Sequence, residues 1–149
     1  MWVLSCPQNF CEDVKGILAG FGLSGDWTSQ PATSHSCQVK IQCELKQRLA
    51  SELASALAKV RVIAEIESSG VEAERYLIHP GLGIHRQALD SMGEPVIRHA
   101  QVDALLKKSK SSLAEFQREL RLVSGQAWLD LIDPLRAPIE GVVYLPRAV

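Results

Sequence analysis

At 149 residues, with 46% apolar and 22% charged side chains, the chain has the composition of one folded domain that buries a core without disulfides or metal. A formal net charge of −1 and an aromatic content of 5% argue against general nucleic-acid binding, which uses clustered basic residues and stacking rings. No apolar run approaches the roughly 20 residues that span a bilayer, and the first residues lack the basic region of an export signal. We therefore expect a cytoplasmic protein with reduced thiols and no membrane partner.

The first half of the chain alternates between strand and helix patterns. Trp2 to Ser5 predicts a strand, and Asn9 is placed to cap a helix that stops at Gly22. The remaining elements predicted for this half are a short strand within 25–34, an alternating strand over 37–44, an amphipathic helix over 45–60 and an alternating strand over 60–67.

Two of these segments have clear one-sided patterns. In the strand, the residues predicted to share the apolar face are Cys37, Val39, Ile41 and Cys43. In the helix, the residues predicted to form the apolar stripe are Leu45, Leu49, Ala50, Leu53, Ala54 and Leu57. Each segment can therefore bury its apolar face against another element while its polar face stays in solvent.

The order of these elements is β-α-β-β-α-β, the split arrangement of ferredoxin-like folds, in which two helices cover one face of an antiparallel sheet. We therefore predict a single α+β domain over 1–149. Residues 1–70 form a ferredoxin-like βαββαβ sandwich half, and residues 71–149 add a β-hairpin and C-terminal helices that complete the core.

The second half begins with the hairpin. Tyr76 to His79 and Ile84 to Leu89 predict its strands, interrupted at Pro80-Gly81, and Gly93 ends a turn before an edge strand at Pro95. Three helices are predicted to follow. The first lies around Val102–Leu106, the second runs from a capping box at Ser112 and Glu115 to Gly125, and the third lies around Trp128–Leu135. The tail has a strand-like centre at Val142 to Leu145.

Four blocks of the sequence occur in the order seen in a known family: "DWTSQPA", "RLASELASAL", "YLIHPGLGIHRQALDSMGEPVI" and "FQRELRLVSGQAWLDLIDPLR". The chain thus resembles, from its first strand to Pro138, an actinobacterial family catalogued as domain of unknown function 3145. The resemblance implies a cytoplasmic protein, and the family's gene context implies a connection with fatty-acid metabolism. It supplies no catalytic residues. The chain departs from the family pattern at His79 and His85, where members hold Thr and an aromatic residue, which weakens a shared histidine site.

The two hairpin histidines, His79 and His85, are the first candidates for chemistry, as metal ligands or proton carriers. On one continuous strand they would lie about 20 Å apart, and a turn at Pro80-Gly81 would bring them closer. A metal site needs a third ligand, for which Asp90 and His99 are the nearby residues. We favour half-buried or surface histidines and predict no metal.

Gly81 and Gly83 could cradle a phosphate, but they lead into a strand and not into a helix N-terminus. We favour backbone roles, with an unusual φ at Gly81 and a bulge or a close backbone approach at Gly83. The cysteines have spacings unlike those of zinc sites and are interpreted as small apolar residues. Glu65 and Glu67 are interpreted as a solvated strand face.

Trp27 and Gln30 precede a proline turn and either line a binding groove or fix the loop, and we favour the second role. Trp128 is in phase with Leu131 and Ile132 and is assigned to the core.

No catalytic motif is present, so the favoured function is a non-enzymatic module that binds a small molecule or a protein partner, a second copy included, without a cofactor. The candidate binding residues are Trp27, Gln30, His79, Gly81, Gly83 and His85. The alternative is an enzyme with a groove between sheet and C-terminal helices that uses His79, His85 or Asp90.

Overall fold

A computed structural model describes residues 1–31, 35–110 and 112–136. The strands it assigns there are β1 (Trp2–Pro7), β2 (Thr28–Ser29), β3 (Ser36–Lys40), β4 (Ile63–Glu67), β5 (Glu74–His79), β6 (Gly83–Leu89) and β7 (Pro95–Val96). The α-helices are α1 (Cys11–Gly20), α2 (Gln47–Leu57), α3 (His99–Lys108), α4 (Leu113–Val123) and α5 (Gln126–Ile132). Two 3-10 turns, at Gln8–Phe10 and Asp133–Leu135, flank α1 and α5.

The seven strands form one antiparallel sheet in the order β2-β3-β1-β4-β5-β6-β7. Val3 of β1 lies opposite Val39 of β3 on one side and Ala64 of β4 on the other. Since side chains alternate along a strand, this register places all three apolar residues on the same face. The predicted mixed α+β class is confirmed.

The first face of the sheet is covered by α1 and α2. The buried residues of α2 are Ala50, Leu53, Ala54 and Leu57, which pack with Val39, Ile66 and Tyr76 of the sheet. Leu49, predicted to join this stripe, is 43% exposed, so that part of the prediction is wrong. Helix α2 begins at Gln47, and its buried stripe consists of Ala50, Ala54 and the two leucines beside them. Leu49 lies at the edge of this stripe and faces partly toward solvent.

The second face is covered in part by the C-terminal helices. Trp128 and Ile132 of α5 pack on Leu4 of β1 and Leu77 of β5, and all four side chains are buried. Helix α4 packs against α5, and α3 packs against α4. The prediction that Trp128 belongs to the core is confirmed, whereas Leu131 is 45% exposed.

The Pro80-Gly81-Leu82 segment is the turn of the β5–β6 hairpin, in which His79 pairs with Gly83 and the Leu82 N–H donates to the His79 carbonyl. The positive φ of this turn is at Gly83 (81°) and not at Gly81, opposite to our expectation. Glycine is needed at Gly83 because that backbone region strains other residues.

Other local predictions have mixed outcomes. The Ser112 side chain accepts the Glu115 N–H at the start of α4, as the capping box predicts, and Gly93 ends its turn with φ 81°. Asn9 does not cap α1, because the chain first makes a 3-10 turn and the helix begins two residues later, with no side-chain cap. The strand predicted over 60–67 begins only at Ile63.

The predicted strand-like segment Val142 to Leu145 lies outside the described residues. Within the described ranges, no helix combines the length and the apolar character that a membrane crossing requires.

Candidate ligand-binding groove

A groove of about 850 Å³ lies on the second face of the sheet, beside the segment that follows α5. We call it the Trp2 groove, and its lining residues are Met1, Trp2, Lys40, Ile41, Gln42, Cys43, Glu44, Glu65, Glu67, Arg75 and Arg136. Strands β3, β1, β4 and β5 each place an outward-facing side chain in it, because these strands are adjacent in the sheet.

Trp2 brings two cations together in this groove. The Lys40 ammonium lies 4.8 Å from the centroid of the Trp2 ring, and the Arg136 guanidinium carbon lies 5.7 Å from it. Both distances are within the range of a cation–π attraction. Trp2 also packs against the cluster beneath α5, so its ring is held in place by the core.

Glu65 is the most buried charged group of the groove. It was predicted to be on a solvated face, but only 11% of its side chain is exposed, and two arginines surround it. One carboxylate oxygen lies 3.1 Å from Arg75 Nε, and the other accepts from Arg136 Nη1 at 2.8 Å. The solvated prediction is wrong because Arg136, 71 positions away, covers the carboxylate.

The two arginines are themselves anchored on both sides. Arg75 also pairs with Glu67 at 2.7 Å, and Arg136 also pairs with Asp133 at 2.9 Å. Burial opposes the charge of Arg136, but its hydrogen bonds to Glu65 and Asp133 outweigh burial and raise its pKa. The groove wall is therefore a fixed row of compensated charges.

Lys40 and Glu44 differ from the other charged side chains of the groove. Both are exposed, and among the described residues neither lies within ion-pair distance of an opposite charge. A ligand that enters the groove would meet these two side chains without first breaking an ion pair.

A family model described as "Protein of unknown function (DUF3145)" matches residues 1–145. The chain belongs to the DUF3145 family. The match spans the whole sheet, all five helices and every residue of the Trp2 groove. Neither the curated proteins nor the solved structures contain a significant match to this DUF3145 chain.

The hairpin histidines of this DUF3145 protein lie outside the Trp2 groove. The register pairs His79 with Gly83 and His85 with Leu77, which makes the two histidines diagonal neighbours on the same face, with residue positions about 7–8 Å apart. His85 lies 4.9 Å from Trp128, ring centroid to centroid, and its buried Nε2 has no hydrogen-bond partner among the described residues. Burial lowers the pKa of both histidines, which favours neutral imidazoles.

The remaining hairpin candidates have backbone roles. Gly81 N–H donates to His79 Nδ1 at 3.1 Å, and the Gly83 carbonyl accepts from Trp128 Nε1 at 3.1 Å. Asp90, proposed as an enzymatic group, accepts the N–H groups of Met92 and Glu94 and so closes the next turn. Asp90 follows the end of β6 and lies five positions after His85, about 16 Å along an extended chain, which is beyond direct proton transfer.

The structure also separates Trp27 and Gln30 from the hairpin. Trp27 packs against the core of the first face. Gln30 is 3% exposed, and its side-chain amide donates to the carbonyls of Leu4 and Leu135 at 2.9 and 2.6 Å. Gln30 thus joins the β2 region to β1 and to the turn before Arg136.

None of the six predicted binding residues lines the Trp2 groove. The sequence did contain one signal for this groove. Lys40 and Glu65 each occupy the polar side of an alternating strand, so a shared sheet would place them on one face. Within the described parts of the chain, no group of three or more His, Cys, Asp or Glu side chains is arranged to hold a metal ion.

Proposed function

We propose that this DUF3145 protein is a non-enzymatic binding module whose ligand site is the Trp2 groove. The observation that carries the proposal is that one groove combines a concave shape with charged side chains already held in place by ion pairs. A volume of about 850 Å³ is within the usual size of small-molecule sites, about 300–1,000 Å³. The ion pairs of Glu65 hold the wall rigid, so little side-chain order has to be gained on binding.

The ligand class follows from the exposed charges. We infer a small polar molecule with an anionic group that Lys40 binds, because Lys40 is the cationic side chain of the groove without a carboxylate partner among the described residues. Charged side chains form much of the lining, which does not favour a long acyl chain. The connection with fatty-acid metabolism therefore gains no support from this groove.

We also propose that residues 1–70 form a ferredoxin-like unit within a single domain. The order β2-β3-β1-β4, with α1 and α2 on one face, supports the first part, since it is the arrangement expected of a split βαβ pair. The continuation of the same sheet into β5 supports the second. A cytoplasmic location is supported by four cysteines that are not joined as disulfides.

The first test is native mass spectrometry of the full chain purified from its source organism. We expect a non-covalent adduct of small-molecule mass that dissociates at higher collision energy. A bare chain under conditions that preserve known complexes would contradict the proposal.

The second test locates the ligand with two variants of opposite charge. Lys40→Gln removes the proposed anion contact, and Glu44→Gln is the matched control in the same groove. A charge-assisted hydrogen bond contributes about 1.5 kcal/mol or more, so Lys40→Gln should weaken binding about tenfold, and Glu44→Gln should not weaken it. If Glu44→Gln instead abolished binding and Lys40→Gln left it unchanged, the ligand would be cationic and the inferred class wrong.

A further inference from the structure

Three of the four cysteines converge at one end of the first sheet face. Cys6 of β1 lies directly opposite Cys37 of β3. Cys11, the first residue of α1, places its Sγ 3.9 Å from the Cys6 carbonyl oxygen and 3.7 Å from that of Pro7. The fourth cysteine, Cys43, lies in the wall of the Trp2 groove and is not part of this group.

The three thiols differ in their access to solvent. Cys6 is fully buried and Cys11 is 8% exposed, whereas Cys37 is half-buried. Burial, together with the neighbouring Cys11 thiol, raises the pKa of Cys6 to about 12. Burial also raises the pKa of Cys11, and the adjacent Cys37 thiol raises it further. A dissolved oxidant therefore meets Cys37 first. Cys11 is its neighbour because both residues lie against Cys6, Cys37 across the strand pair and Cys11 through its thiol.

We propose that Cys37 and Cys11 are a redox pair that a peroxide converts into a disulfide. The Cys37 thiol loses its proton, the thiolate attacks one peroxide oxygen, and the O–O bond breaks to give a sulfenic acid and hydroxide. The hydroxide takes up the released proton and leaves as one water. The Cys11 sulfur then attacks the Cys37 sulfur, the S–O bond breaks, and a second water leaves. Two thiols are oxidised to one disulfide, and hydrogen peroxide is reduced to two waters.

The partner of Cys37 is Cys11 and not Cys6 because of strand geometry. Residues directly opposite in an antiparallel pair have Cβ atoms about 4.5–5.5 Å apart, whereas a disulfide needs about 3.5–4.5 Å. Closing that gap would move two paired strands in the interior of the sheet. Cys11 stands at the start of a helix, so its backbone can shift without breaking a strand pair.

The experiment uses the reduced full chain, treated with a small molar excess of hydrogen peroxide and then alkylated. We expect the intact mass before alkylation to fall by about 2 Da, the two hydrogens lost in one disulfide, and the alkylated thiols to fall from four to two. Peptide fragmentation, which distinguishes Cys6 from Cys11 within one tryptic peptide, should locate the link between Cys11 and Cys37.

Two variants complete the design. Cys37→Ser should abolish the mass loss, and Cys43→Ser, the matched control outside the group, should retain it. Unchanged circular dichroism of both variants shows that the comparison concerns folded protein. The proposal is overturned if the wild-type chain keeps all four thiols, gains oxygen without losing thiols in pairs, links Cys6 to Cys37, or loses the reaction in Cys43→Ser.

Discussion

Replacing Gly125 with alanine tests the packing between the C-terminal helices and the hairpin. Gly125 precedes α5 with φ 75°, and a Cβ atom there would lie 2.7 Å from Cδ2 and 2.8 Å from Nε2 of His85. The ring cannot move away easily because it packs on Trp128. Gly125→Ala therefore combines backbone strain with a steric clash between the new methyl group and the His85 ring.

The two contributions can be separated with a matched glycine. The left-handed backbone costs a non-glycine residue about 1 kcal/mol, and overpacking a well-packed site costs about 1–3 kcal/mol more. Gly93 has φ 81°, and its added Cβ would meet nothing within 4 Å, so Gly93→Ala contributes only the backbone cost. We expect a loss of unfolding free energy of about 3 kcal/mol for Gly125→Ala and about 1 kcal/mol for Gly93→Ala.

The assay is urea unfolding followed by circular dichroism and tryptophan fluorescence, with a double-mutant cycle to His85→Ala. Removing the ring should relieve the clash, so the double variant should be more stable than the sum of the single losses predicts, by about 1 kcal/mol or more. Equal losses for the two glycine variants, or additivity in the cycle, would refute the packing described for Gly125.

Three further predictions concern buried polar groups. Burial lowers the pKa of His85 and His79 in the folded chain, so the unfolded chain binds more protons. The stability that the neutral rings contribute is complete above about pH 6.5 and is lost as pH falls through the folded pKa values. Between pH 8 and 5, the unfolding free energy of His85→Phe should fall less steeply than that of the wild type, and an equal slope would contradict a neutral buried ring. Glu65→Gln leaves two guanidinium groups without their shared carboxylate and should lower the free energy of unfolding by about 2 kcal/mol, less than for a fully buried pair because Arg136 is partly exposed. Thermal unfolding measures the loss, with Glu67→Gln as the exposed comparison. Equal losses for the two variants would contradict the prediction. Gln30→Leu should cost about 2 kcal/mol by leaving two carbonyls without their donor, measured by urea unfolding, whereas a purely ligand-binding role would leave stability unchanged.

Local patterns predicted much of the fold. The alternation in residues 37–44 placed Val39 and Ile41 in the core, and the turn before Pro95 produced the edge strand that was expected. These predictions succeeded because strand alternation and turn chemistry act within a few residues. Asn9 failed as a cap because a 3-10 turn, set by the exit of β1, intervenes before the helix.

The Trp2 groove was less accessible to sequence reasoning. The pattern of its own strand predicts that Glu65 is a surface residue. Arg136, which is distant in sequence, covers the carboxylate and pairs with it. The position of Arg136 depends on α5 reaching the second sheet face, which is a non-local result of packing Trp128 on Leu77. The histidines, by contrast, attracted attention by residue type alone and lie elsewhere in the structure.

The late covering of the second sheet face has a consequence for how the chain folds during synthesis. The strands β1 to β4 are complete once Glu67 has been synthesised, but Leu4 in β1 is covered only when Ile132 has followed, about 65 residues later. At translation rates of about 5–20 residues per second, that interval lasts several seconds. Until Ile132 has been synthesised, the apolar residues of the second face lack the helix that covers them in the folded chain.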